Sequence, residues 1–112
     1  MVSLVIVLNK TEFLDEVLET LVKHNVKGAT IVDSQGMGSA IVSGDLRNIP
    51  LFGFLRNVIK EDHPYSKTIF SVVKEELVES LIVDIKKIFP EKKPGNGFIF
   101  TVPVNNIYLL DK

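Results

Sequence analysis

Residues 3–8 form an almost unbroken apolar run rich in valine and isoleucine, without polar alternation. That pattern predicts a strand buried on both faces. From Leu14 the period changes: Leu14, Val17, Leu18, Leu21 and Val22 recur at the helical interval as one apolar stripe. A helix of about 14 residues is expected, with Asn9 or Thr11 as its N-cap and Glu12 three residues after Asn9. Glu12, Asp15, Glu16 and Glu19 come early and Lys23 and Lys27 late, as the helix dipole favours, and Gly28 is the expected stop. Residues 29–33 predict a second strand.

The same order returns later in the chain. Residues 68–73 predict a third strand. Glu75 and Glu76 open a second helix whose buried side is Leu77, Val78, Leu81, Ile82, Ile85 and Ile88; Lys86 and Lys87 suit its C-terminal end, and Pro90 stops it. Residues 98–104 predict a fourth strand, and residues 107–110 a short fifth strand at an edge. Between the halves lies a connection of some thirty residues, a length that points to a functional loop. Within it, Asn48, Pro50 and the spacing of Leu51, Phe52, Leu55, Val58 and Ile59 predict a helix over about 49–60. This order is the split βαβ arrangement: an α+β, ferredoxin-like βαββαβ fold in one domain, residues 1–112. Its four-stranded antiparallel sheet carries two helices on one face and a long insertion. Strands apolar at nearly every position need cover on the second face too, and self-association is the simplest supply.

Composition narrows the function. The 112 residues make one domain, and 13 basic against 14 acidic side chains leave a net charge of −1. A near-neutral chain has no electrostatic means of gripping nucleic acid. The absence of cysteine removes disulfide scaffolds, zinc ribbons, iron–sulfur ligation and thiol catalysis. Apolar residues reach 46% and the mean hydropathy is +0.24, high for so small a domain, which again suggests burial between subunits. The longest apolar run, residues 4–8, is too short to span a bilayer, and no signal peptide is read at the N-terminus. A cytoplasmic protein is expected.

Little in the chain suggests catalysis. His24 and His63 have no metal-ligand spacing, and Ser34, Ser39 and Ser43 sit in no nucleophile elbow. Glu75, Glu76 and Glu79 read as a solvated helix face. Two glycine pairs carry more interest. Gly36-Met37-Gly38 follows the second strand, and Gly95-Asn96-Gly97 precedes the fourth, with Lys92 and Lys93 just before it. Glycine lets backbone N–H groups approach an anion, and the lysines add charge, although Asn-Gly before a strand is also an ordinary turn.

Read together, Gly28-Ala29-Thr30-Ile31-Val32, Gly36-Met37-Gly38, Val73-Lys74-Glu75-Glu76-Leu77-Val78-Glu79 and Gly95-Asn96-Gly97-Phe98-Ile99-Phe100-Thr101-Val102-Pro103-Val104 resemble the PII signalling proteins. The order of these motifs covers nearly the whole chain, and the last is the most specific. The resemblance implies the same fold, a homotrimer, and no enzymatic activity. It requires no cofactor. Between subunits it implies clefts for a small ligand, an adenine nucleotide in the family, where the T-loop base, the B-loop and the C-terminal segment meet. Thr30, Gly36, Met37 and Gly38 would come from one side; Lys92, Lys93, Gly95, Asn96 and Gly97 would supply the phosphate loop. The T-loop-like insertion, about 38–66, would signal to a target protein, a transporter or an enzyme. The chain departs from the family pattern at several points. Phe98 stands where the family has a B-loop lysine, Ala40 replaces the T-loop-base glutamine, and Tyr108, Leu109 and Leu110 occupy a region that carries arginines. The modifiable T-loop tyrosine has no counterpart, Tyr65 lying beside the third strand. Weak ATP binding is the expectation. Two other families share the element order: ACT-like amino-acid-binding domains, whose stand-alone forms dimerise, and CutA-type trimeric divalent-cation-tolerance proteins.

Overall fold

The computed structural model describes residues 1–37 and 65–111. The predicted helix over 49–60 lies outside the described residues, as do Gly38 and most of the insertion. Four strands form one antiparallel sheet: β1 (Val2–Leu8), β2 (Thr30–Ser34), β3 (Ser66–Val73) and β4 (Gly97–Pro103). Their order across the sheet is β2-β3-β1-β4, so β1 and β3 are central while β2 and β4 are edges. Helices α1 (Leu14–Lys23) and α2 (Val78–Ile88) make the two crossovers.

Side-chain alternation divides the sheet into two faces. Leu4, Ile6 and Leu8 of β1 and Ile69 and Val73 of β3 form the buried core with Val17 and Leu21 of α1 and Leu81 and Ile85 of α2. The opposite face carries Val32, Phe70, Val72, Phe98, Phe100 and Val102, each still 40–59% exposed. Val5 also points there, yet it is buried, because Phe70 and Phe100 flank it on the same rung. Phe98 and Phe100 stack along β4 with centroids 6.1 Å apart. The helices therefore cover one face alone, as the strand pattern predicted.

Both helices begin with a 3-10 turn, Thr11–Phe13 and Glu75–Leu77, and neither turn has a side-chain cap. Asn9 and Thr11 thus do not cap α1. Instead the Asn9 N–H donates to Asn96 O at 3.0 Å, anchoring the loop before β4. The stop of α1 also differs from expectation. The helix ends at Lys23, five residues before Gly28, and is closed by a left-handed Asn25 with φ of 64°. The Asn25 N–H donates to Val22 O at 2.9 Å and the Val26 N–H to Leu21 O at 3.0 Å, the paired bonds of a Schellman ending. Val26 packs into the same core as Leu21, completing that motif. Gly28 has a different use: its carbonyl accepts from the buried Ser71 hydroxyl at 2.6 Å. At the other helix Pro90 acts as predicted, since Phe89 is already extended and α2 stops at Ile88. The expected fifth strand is absent: residues 104–109 run without regular structure and end in a turn.

One polar bridge ties α1 to α2. His24 Nε2 lies 2.7 Å from Asp84 Oδ2, and Lys87 Nζ lies 3.4 Å from Asp84 Oδ1. The His24 hydrogen bond, aided by Lys87 and opposed by burial, holds the Asp84 carboxyl below its ordinary 3.8. A depressed carboxylate stabilises the fold above its unfolded value and loses that contribution as pH falls through the folded one. Asp84→Asn is therefore expected to melt below the parent at neutral pH. Calorimetric scans at decreasing pH should show the two melting temperatures converging below 3.8.

Candidate functional site

The strand register brings the two glycine segments to one end of the sheet. Ser34 pairs with Ser66 and Asp33 with Lys67 where the insertion leaves and returns; Lys67 also pairs with Leu8, and Leu8 with Gly97. At that exit Ser34 Oγ lies 2.8 Å from Ser66 Oγ and 2.7 Å from Thr68 Oγ1, and Lys67 forms an ion pair with Asp33. The ends of the insertion are thus clamped by a hydroxyl cluster and one charge pair. Gly36 and the exposed Met37 follow directly. Thr30 stands at the other end of β2, beside Phe70 on the open sheet face.

Gly95, Asn96 and Gly97 lie at the same end of the sheet but on the opposite edge. Three strand spacings, roughly 14 Å, separate β2 from β4. Among the described residues, a single chain does not join the two halves of the candidate site. Pro94–Asn96 is a 3-10 turn in which the Asn96 N–H donates to Lys93 O at 3.1 Å and the Gly97 N–H to Pro94 O. Asn96 O accepts from Asn9 N and Lys10 N, at 3.0 and 3.4 Å, and its side-chain amide donates to Glu91 O at 2.6 Å. Gly97 has φ of 132° and ψ of −164°, a conformation essentially reserved for glycine. A Cβ there would lie 2.0 Å from Val7 O, so this position requires glycine for space as well as conformation. Nothing lies within 4 Å of a Cβ built at Gly95 or Gly36.

The two lysines are held differently. Lys92 Nζ donates to Phe89 O at 2.7 Å and to Lys86 O, placing its charge on the carbonyl end of α2. Lys93 Nζ lies 3.1 Å from Glu91 Oε2 in an exposed pair. Such pairs contribute about 0–1 kcal/mol, so an arriving anion could take Lys93 at little cost. Between α2 and β4 these lysines border a groove of about 720 Å³. Its apolar lining includes Ile82, Ile85, Phe89 and Ile99, with Phe98 at the β4 edge. Charge beside an apolar wall suits a small anion with an apolar or aromatic part. Glu91, Ile82 and Phe89 were not read from the sequence as site residues. Ile82 carried only a helix-core signal, and nothing local pairs Glu91 with Lys93. Among the described residues no cluster of histidine and carboxylate side chains could hold a metal ion.

A split βαβ sheet with its long insertion between β2 and β3, and a loop closing tightly onto β1 before β4, defines a ferredoxin-like domain of the PII kind. The crystal structure of Arabidopsis thaliana PII bound to citrate is similar to 98% of this chain and 82% of that chain, with a TM-score of 0.68 at 20% identity, a likeness of fold. The family model for nitrogen regulatory protein P-II matches residues 1–111, and the chain belongs to that family. No curated protein matches it in sequence.

The contrast between the glycines is testable by chemical denaturation. Gly97→Ala is expected to cost at least about 2 kcal/mol through its conformation and the clash with Val7 O. Gly95→Ala, with open space around it, is expected to stay within about 0.5 kcal/mol of the parent.

Proposed function

We propose that this chain is a cytoplasmic signalling regulator rather than an enzyme. In this reading it assembles as a homotrimer and binds a small anionic ligand in clefts between subunits. The insertion, residues 38–66, carries the state of the cleft to a target protein, a transporter or an enzyme. One observation supports this reading above the others: the two glycine segments share an end of the sheet but occupy its opposite edges. A neighbouring copy could set the β2 end of one subunit against the β4 end of the next. The exposed apolar face of the sheet supplies a reason for copies to associate, since each large side chain taken from water contributes about 1.5–3 kcal/mol. Membership in the P-II family favours this reading over an ACT-like or a cation-tolerance protein. No helix among the described residues is long and apolar enough to cross a membrane.

The ligand class follows from the charges that remain free. An adenine nucleotide is the family's ligand, but here Phe98 stands at the lysine position and Lys92 is committed to the end of α2. Charge-assisted bonds contribute about 1.5–3 kcal/mol each, so losing two would weaken binding by roughly two to four decades. Lys93 is the cation this reading assigns to the ligand, together with the backbone around Gly95.

Multi-angle light scattering at micromolar concentration is expected to give three times the 12.5 kDa chain mass; a monomeric mass refutes the assembly. In calorimetry, titrations with ATP, ADP and citrate are expected to find no micromolar, magnesium-dependent ATP site. For whichever of these probes binds, Lys93→Ala should weaken affinity about tenfold or more while leaving thermal stability unchanged. Lys92→Ala should instead lower stability by about 0.3–1 kcal/mol through the helix end. Equal binding by the Lys93→Ala protein would remove Lys93 from the site.

A further inference from the structure

We infer that the end of the sheet farthest from the insertion carries a second binding site, a basic pocket for a small organic dianion. The pocket lies where the turn after α1 meets the turn after β3, and its volume is about 530 Å³. His24, Val26 and Lys27 line it from the first turn, and Val73, Lys74 and Leu77 from the second. All of them belong to one chain, whereas the cleft proposed above needs two, so the pocket goes beyond that reading and does not depend on it.

The two turns are held together by specific bonds. The left-handed Asn25 reverses the chain at the end of α1, and Val26 packs into the core. Lys27 follows on a fixed backbone, because the buried Ser71 hydroxyl donates to Gly28 O at 2.6 Å. Ser71 stands on β3 three residues before Lys74. That one bond therefore sets the residues after α1 beside the end of β3 and brings both lysines to the same pocket. His24 is fixed from the other side. Its Nε2 lies 2.7 Å from Asp84 Oδ2 and its side chain is only 18% exposed, so the imidazole forms a wall of set orientation.

Charge selects the ligand. Among the described residues the ionisable side chains of the lining are His24, Lys27 and Lys74, without a carboxylate. Lys23, Lys67, Lys87 and Lys93 each pair with a nearby acid, but Lys27 and Lys74 have no ion-pair partner among the described residues. The nearest acids in sequence, Glu75 and Glu76, are exposed in the 3-10 turn that follows and do not line the pocket. Asp84 is engaged by His24 and Lys87. Two unneutralised cations around one concavity raise the local concentration of anions. Val26, Val73 and Leu77 add an apolar floor, which favours an anion with a short carbon skeleton over a bare inorganic ion. Two ammonium groups match two negative charges, a chemistry that a short dicarboxylate and an organic phosphate share.

The test is a magnetic-resonance titration of the isotope-labelled full-length chain. Succinate, glycerol phosphate and inorganic phosphate are added separately at constant ionic strength, with sodium chloride as the reference. Saturating shifts of the backbone amides in residues 25–28 and 73–77 are expected with at least one organic probe, at a lower concentration than with inorganic phosphate. Which organic probe binds more tightly distinguishes a dicarboxylate from a phosphate ester. Lys27→Gln and Lys74→Gln should each weaken that binding about tenfold, as the loss of a charge-assisted bond requires. Both side chains are exposed, and circular dichroism matching the parent confirms the fold of each variant. Lys93→Ala should leave the binding unchanged, because Lys93 belongs to the groove between α2 and β4. Shifts no larger than those in chloride, or equal binding by the two glutamine variants, overturn the site. Loss of binding in the Lys93→Ala chain assigns the anion to the other groove and also overturns it. Inorganic phosphate binding as tightly as both organic probes overturns the ligand class.

Discussion

Two helices cannot cover both faces of a four-stranded sheet, and the rest of the molecule answers to that limit. The core forms where α1 and α2 meet Leu4, Ile6, Leu8, Ile69 and Val73. The other face keeps the same apolar character, with Phe70 and Phe100 flanking a buried Val5 and Phe98 on the next rung but one. Exposed apolar surface of this kind gives a free-energy reason for association, because removing it from water drives assembly as it drives folding. The same topology sends the insertion out at one edge and the Pro94–Asn96 turn in at the other. Among the described residues the two segments therefore stay at opposite edges of the sheet.

The loop before β4 is built for fixed geometry. Its backbone is tied down through Asn9, Lys10 and Glu91, and Gly97 lies so close to Val7 O that no side chain fits. Within this rigid frame the two lysines part company. Lys92 meets carbonyl groups at the end of α2, where the helix dipole and two acceptors favour its charge. Among the described residues Lys93 pairs with an exposed carboxylate, an interaction that water and salt weaken. The two charges thus differ in how firmly their own chain holds them. The described ends of the insertion are clamped by the Ser34–Ser66–Thr68 hydroxyls and the Asp33–Lys67 pair.

Most of the fold was legible in the residues. The apolar run of β1, the stripe of Leu14, Val17, Leu18 and Leu21, and the mirrored pattern around Leu81 and Ile85 specify two crossovers and four strands. Periodicity is local and is imposed by which side must be buried, so it survives without knowledge of partners. Pro90 was equally readable, because its constraint on the preceding residue is steric. The glycine segments of the candidate site were also visible, and Gly97 proved to need glycine on grounds the sequence could only suggest.

Other features depended on what stood nearby in space. Gly28 looked like the end of α1, but Asn25 took the left-handed position because Val26 could then enter the core beside Leu21. Asn9 looked like a cap, but its N–H was needed by a loop more than eighty residues later. Residues 107–110 had the composition of a strand and found no strand partner among the described residues. Lys92 and Lys93, adjacent and chemically identical, acquired different partners only when α2 and Glu91 were placed around them. Burial patterns are written along the chain, whereas hydrogen-bond and charge partners are chosen across it. The sequence by itself therefore determined the elements and their apolar faces, and tertiary structure decided the endings, the anchors and the free charges.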